Sequence, residues 1–141
     1  MAAGFKGPII CSQASAKLLP LVLEDAVKIG FTRNKQLISQ FLRHIKKQII
    51  AIPYQQWHKI KINSNDGTES NLSLKVKLKP AGHILGSAYV ECAIFKENTK
   101  ACQRVIFSGD LGAPYTPILA SVKSPYKADC LVIESTYGDK L

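Results

Sequence analysis

One histidine, one aspartate and one glutamate in this chain each stand beside small residues, where an apolar run gives way to a turn. They lie in Ala81-Gly82-His83-Ile84-Leu85-Gly86-Ser87, in Ser108-Gly109-Asp110-Leu111-Gly112 and in Glu134-Ser135-Thr136-Tyr137-Gly138. Neutral imidazole is a common transition-metal ligand, and the glycines beside His83 let the backbone come close to something. Asp110 can bind one metal or bridge two. Glu134 ends an apolar strand, so its carboxylate is partly desolvated unless a cation or donor meets it, which makes it a site candidate. Each also has an ordinary reading: a structural histidine, a Ser-Gly-Asp turn, and a rim glutamate with its head in water. Together the three can converge on one edge of a sheet, and one neutral plus two anionic ligands suit Zn²⁺, Mn²⁺ or Fe²⁺.

The elements that must position them follow from hydrophobic periodicity. Gly7-Pro8-Ile9-Ile10-Cys11 reads as a buried strand, with Ser12 as the N-cap of a helix from Gln13 to Ile29. Ala16, Leu19, Leu23, Ala26 and Val27 form its apolar face, Gly30 stops it, and Pro20 disturbs its first turns. A second helix spans Asn34 to Lys47, with Leu37, Ile38, Phe41, Leu42 and Ile45 on one side and Arg43, Lys46 and Lys47 on the other. His44 on that helix has no second ligand one turn away. Gln48 to Tyr54 either extends the helix or begins a loop.

After Trp57 the period becomes two, with Leu72, Leu74, Val76 and Leu78 alternating against Ser73, Lys75, Lys77 and Lys79. Asn63-Ser64-Asn65-Asp66-Gly67 is a hairpin turn before that strand. His58 sits in the preceding strand, away from the three marks. Ser87 to Phe95 and Cys102 to Ser108 pair around a turn at Glu97-Asn98-Thr99-Lys100. Leu111 to Ala128, with Pro114, Pro117 and Pro125, is a long irregular loop, and Asp129 to Ile133 a buried strand. The order is β-α-α followed by four or five strands, an α+β or layered α/β arrangement without regular βαβ alternation.

At 141 residues and 46% hydrophobic the chain is long enough for one ordinary domain. No run approaches the roughly 18 to 20 apolar residues of a membrane helix and the N-terminus lacks a signal-peptide core, so the chain reads as soluble and cytoplasmic. Nineteen Lys+Arg against ten Asp+Glu give a net charge of +9, which favours an anionic partner such as nucleic acid, with a solvated basic surface as the plainer account. Cys11, Cys92, Cys102 and Cys130 show no zinc-finger spacing; three lie in apolar runs as buried thiols do, although Cys92 and Cys102 fall at neighbouring positions if the hairpin brings them together. No G-x-G-x-x-G turn, P-loop, G-x-S-x-G elbow or H-E-x-x-H is present.

The three strings closely resemble the β-CASP branch of the metallo-β-lactamase superfamily, which contains RNA-processing and DNA-repair nucleases. Ala3-Gly4-Phe5-Lys6-Gly7-Pro8-Ile9 also looks like the segment that follows that family's first metal motif. Glu-Ser-Thr-Tyr-Gly in this order points to the RNA-acting members, ribonuclease J-like enzymes and the pre-mRNA 3′-end cleavage endonuclease. The resemblance implies part of an αββα sandwich over residues 1–141 and zinc-dependent hydrolysis of RNA phosphodiester bonds, with metal-activated water as nucleophile. It implies that His83 binds one zinc, that Asp110 bridges two, and that Glu134 is a catalytic residue orienting a histidine of a cap domain.

The family's H-x-H-x-D-H cluster does not occur in this chain, nor does the cap domain with its two histidines. The expectation is therefore an internal piece of a longer nuclease, binding two zincs weakly or not at all, inactive alone, and prone to self-association through exposed sheet surface. Two other readings stand beside it. One is a metallo-β-lactamase-fold hydrolase of a small ester or thioester, against which the charge and the Glu134 string argue. The other is a non-catalytic RNA-binding paralogue.

Overall fold

The computed structural model describes residues 5–60, 72–96, 102–136 and 138. The turn expected at 63–67 and the one at 97–100 lie outside these residues. The chain forms two compact units, Met1–Ile52 and Pro53–Leu141.

In the first unit, β1 (Ile9–Ser12) leads directly into α1 (Gln13–Gly30), followed by α2 (Lys35–Gln48) and β2 (Ile49–Ile52). Ser12 caps α1 as its composition implies, its hydroxyl accepting from the Ser15 backbone N–H at 3.1 Å. Pro20 lies inside α1 without ending it and is its buried residue. Gly30 is the last helical residue rather than the residue beyond the end; Phe31 and Thr32 both donate to the Val27 carbonyl and close the helix. Asn34 caps α2 through Gln36 and Leu37, and Lys46 and Lys47 occupy its last turn, the end where cations suit the helix dipole. Ile38 and Ile45 are buried, whereas Leu37, expected on the same face, is 54% exposed.

The undecided stretch after α2 is a strand. Ile49, Ile50 and Ile52 are β-branched and favour extended backbone, and β2 pairs with β1 in parallel, Ile9 opposite Ile49 through Ser12 opposite Ile52. A parallel pair needs a long crossover, which the two helices supply.

The second unit is one mixed sheet in the order β3-β4-β5-β6-β7, comprising β3 (His58–Ile60), β4 (Leu72–Pro80), β5 (Ala88–Lys96), β6 (Cys102–Phe107) and β7 (Cys130–Val132). β3 to β6 are antiparallel neighbours, and β6 and β7 are parallel. The architecture is thus α+β, as the patterning implies. Leu74, Val76 and Leu78 of β4 share one face with Ile94, Cys92 and Val90 of β5, while Lys75, Lys77 and Lys79 share the other with Ala93, Glu91 and Tyr89. His58, in β3, is opposite Val76, and His44 is exposed on α2.

Two expectations are corrected. β7 is not buried: Leu131, Val132 and Ile133 are 52%, 50% and 60% exposed, because among the described residues β7 is the edge strand with a single hydrogen-bonded neighbour. The cysteines are free and none is fully buried, Cys130 being exposed. Cys92 and Cys102 are not neighbours, because the register sets Cys92 opposite Val105 and Cys102 opposite Phe95. Partial burial still pushes the Cys11 and Cys92 thiols up from their ordinary pKa.

Candidate functional site

Three loops leave the same end of the sheet: 81–87 joins β4 to β5, 108–129 joins β6 to β7, and 133–138 follows β7. The first is a closed turn built on Ser87. Its hydroxyl accepts from the backbone N–H groups of His83 at 3.1 Å and Ile84 at 3.2 Å, while Ala81 N–H donates to the Ser87 carbonyl. Tyr54 adds its hydroxyl to that same carbonyl at 2.9 Å. Gly82 at φ +69° and Gly86 at φ +90° are in the left-handed region, which explains both glycines of the string.

The second loop is held to the third by Ser108, which is 5% exposed. Its N–H donates to the Val132 carbonyl at 2.9 Å, and its hydroxyl accepts from the Glu134 N–H at 3.0 Å. Glu134 returns the tie, since one carboxylate oxygen accepts from the Leu111 N–H and the other from the Thr136 hydroxyl. The Leu111 N–H, then the Thr136 hydroxyl, hold the Glu134 carboxyl below the usual carboxylate range, and the nearby His83 adds to this against partial desolvation.

The second loop meets the first at Gly112, whose N–H donates to the Ala81 carbonyl at 2.8 Å. A Cβ on Gly112 would lie 1.8 Å from the Gly82 oxygen, so the backbones approach as closely as only glycine permits. His83, Asp110 and Glu134 consequently line one cavity of about 630 Å³, together with Leu111, Ser135 and Thr136.

The structure thus brings all three residues singled out from the sequence to one cavity. It does not bring them into one coordination sphere: among the described residues no group of three His, Cys, Asp or Glu could hold a metal ion. Glu134 is spent on Leu111 and Thr136, whereas His83 and Asp110 are exposed at the cavity wall. Their donor types, one imidazole and one carboxylate, fit two positions of a divalent-metal site but do not complete a four-coordinate one.

The scaffold residues Ser87, Ser108 and Gly112 act through hydroxyl and backbone hydrogen bonds rather than as metal donors. The signal of the two serines is their place directly after, or directly before, a glycine at a strand end, the local chemistry of hydroxyl-to-backbone turns.

No family model matches the chain. It is 31% identical over 97% of its length to a transcription termination factor FttA of Cenarchaeum symbiosum, covering 20% of that protein. It is 31% identical over 95% of its length to a probable RNase MJ4 of Methanocaldococcus jannaschii, covering 29% of it. To an endoribonuclease ysh-1 of Neurospora crassa it is 29% identical over 95% of its length, covering 15%. The chain therefore spans less than a third of the length of these curated relatives. Over nearly its whole length the chain is thus similar to proteins of the β-CASP branch of the metallo-β-lactamase superfamily, the family that the three strings resemble.

Proposed function

We propose that this chain supplies part of the catalytic site of a zinc-dependent nuclease that hydrolyses RNA phosphodiester bonds. The observation that carries the proposal is the shared cavity: an imidazole, a carboxylate and a second, anchored carboxylate from three separate loops face one space of about 630 Å³. Two of the relatives are named as ribonucleases, and the +9 charge suits an anionic substrate.

In this reading His83 and Asp110 hold the metal. When bound, the ion supplies Lewis-acid polarisation of the phosphoryl group and a lowered pKa for water at the site. Glu134 acts first as a positioning residue, because its carboxylate fixes Leu111 and so sets the backbone on which Asp110 sits. Gly112 and Ser87 fix the loop that carries His83. Two donors among the described residues are too few for a tight site, so the chain alone binds Zn²⁺ weakly and does not turn over RNA at a rate above buffer.

Calorimetric titration of Zn²⁺ into the purified chain, beside Asp110→Asn and His83→Gln, tests the ligand assignment. The expected result is weak binding that each substitution diminishes. Binding unchanged in both variants would assign the ion to other donors, and tight binding of two ions with RNA cleavage would overturn the incomplete site. Incubating the chain, joined to the remaining segments of the RNase MJ4 relative, with labelled RNA and with a thioester tests the substrate class; cleavage of the thioester alone refutes it.

A further inference from the structure

The face of the second unit's sheet that carries the β4 lysines is built differently from the apolar face behind it. Alternation and register place Lys75, Lys77 and Lys79 on this face, with Lys59 opposite Lys75 on β3 and Arg104 opposite Ala93 on β6. Against these five cations stands Glu91, 3% exposed, bound by Lys77 at 2.7 Å and Lys79 at 3.4 Å. Asp129, at the end of the sheet away from the cavity, is offset by Lys127 at 3.4 Å. Among the described residues, the five cations of this face stand against the single carboxylate of Glu91, with Asp129 and Lys127 paired at its end.

Aromatic rings are interleaved with those cations. Lys75 lies 5.1 Å from the Phe95 ring centroid, Lys77 4.4 Å and Arg104 5.9 Å from that of Trp57, and Lys79 5.4 Å from that of Tyr89. Each contact falls within the range of a cation–π attraction. Their effect is to pin long, rotamer-rich side chains in place before any ligand arrives, which lowers the ordering cost of binding. Tyr89 is committed, being 3% exposed with its hydroxyl donating to the Lys123 carbonyl. Trp57 is not, with 39% of its surface open to solvent.

The direction of the row connects it to the cavity. Lys79 is two residues before Ala81, which opens the His83 loop, and Lys77 and Lys75 follow back along β4 at intervals of about 7 Å. A row of fixed cations at regular spacing beside an exposed indole is what an extended single strand recognises, through phosphates along the row and a base on the ring. A duplex presents its bases stacked inside and has nothing to offer the indole.

We propose that this face is a docking track for single-stranded RNA, continuing from the cavity along β4, with Lys59, Lys75 and Arg104 on the phosphates, Lys77 and Lys79 held on Glu91 between them and the cavity, and Trp57 against a base. The inference deepens the nuclease reading, naming where the strand beyond the cleaved bond lies. Binding can be read without cleavage, so the two fail separately.

The test is fluorescence anisotropy of a labelled oligouridylate titrated with the whole chain, in the presence of chelator, over a series of salt concentrations. Lys59→Gln, Lys75→Gln and Arg104→Gln are combined in one variant, because none of these side chains holds Glu91 and the sheet's ion pairs remain. The expected slope of log affinity against log salt falls by about 2, from roughly 0.7 per phosphate contact on single strands. Trp57→Ala weakens binding by about 5- to 150-fold and Trp57→Phe restores most of it. A control variant with Lys28→Gln, Lys35→Gln and Lys46→Gln, all in the first unit, removes the same charge and leaves the slope within half of that change. Equal slopes in wild type and the sheet variant, an equal loss in the control, or equal binding of a double-stranded probe would each overturn the track. Circular dichroism of every variant confirms folding, and should Trp57→Ala fail to fold, the sheet variant decides alone.

Discussion

Replacing Gly112 by alanine is the sharpest probe of how the cavity is assembled. The added methyl would lie 1.8 Å from the Gly82 oxygen, 2.1 Å from the Gly82 carbonyl carbon and 2.6 Å from the His83 nitrogen. All three are backbone atoms, so no rotamer change relieves the overlap and one loop must move. Overpacking of this kind costs about 1 to 3 kcal/mol. The shift also breaks the Gly112 N–H bond to the Ala81 carbonyl, 2.8 Å long, and Ala81 is fully buried, so its carbonyl is left without its donor at a further 1 to 3 kcal/mol or so. The expected total is about 2 to 6 kcal/mol. Trp57 is the only tryptophan and lies in the second unit, so its fluorescence during urea unfolding reports on the part that holds the cavity. The midpoint should fall steeply in Gly112→Ala with little change in slope. Gly30→Ala is the contrast, because nothing lies within 4 Å of a Cβ there and the residue ends α1; it should be neutral or stabilising by up to about 1 kcal/mol. A Gly112→Ala midpoint within about 0.5 kcal/mol of wild type would refute the close approach of the two loops, since that is the scatter of ordinary surface substitutions.

Ser108→Ala removes the acceptor of the Glu134 N–H while leaving the Ser108 backbone bond to Val132, so the expected loss is about 1 to 3 kcal/mol, read by the same unfolding curve. Its effect should not add simply to that of Glu134→Ala, because the Glu134 N–H bond to Ser108 and the Leu111 N–H bond to the Glu134 carboxylate join the same two loops. Asp129 gives a pH dependence: the Arg104 backbone N–H, at 2.7 Å, then Lys127, hold its carboxyl below the ordinary range. A depressed folded pKa stabilises above the unfolded value of about 3.9 and is lost as pH falls through the folded value. Wild type should therefore lose more thermal stability than Asp129→Asn on acidification below about pH 4; parallel melting curves for the two would count against the assignment.

How much of this was legible beforehand depends on whether the cause was local. Ser12 caps its helix where the sequence puts it, because a cap needs only its own hydroxyl and the next turn of backbone. The alternation along β4 fixed which residues share a face, since the period of a strand is a property of the backbone. β2 was not legible, because Ile49-Ile50-Ala51-Ile52 is apolar without period and its strand character comes from pairing with β1, some forty residues earlier. β7 is a strand as expected, but its expected burial failed for the opposite reason. Cys130-Leu131-Val132-Ile133 has the continuous apolar pattern of a strand covered on both faces, but covering depends on neighbours, and among the described residues β7 has one.

The cavity shows the same division more finely. His83, Asp110 and Glu134 were visible as chemical types at strand ends, yet what Glu134 does could not be read from its type. Both its oxygens are occupied by groups of the loops, Leu111 and Thr136, so replacing it acts on Asp110 through the backbone as well as on any proton it handles. Glu134→Gln keeps one carbonyl acceptor for the Leu111 N–H, whereas Glu134→Ala keeps none. If the carboxylate serves the site mainly by holding that loop, the glutamine variant retains Zn²⁺ affinity close to wild type while the alanine variant loses it along with Asp110→Asn. If the negative charge itself is what the metal site requires, both variants lose affinity alike, and the difference between them measures how far Glu134 is scaffold and how far it is chemistry.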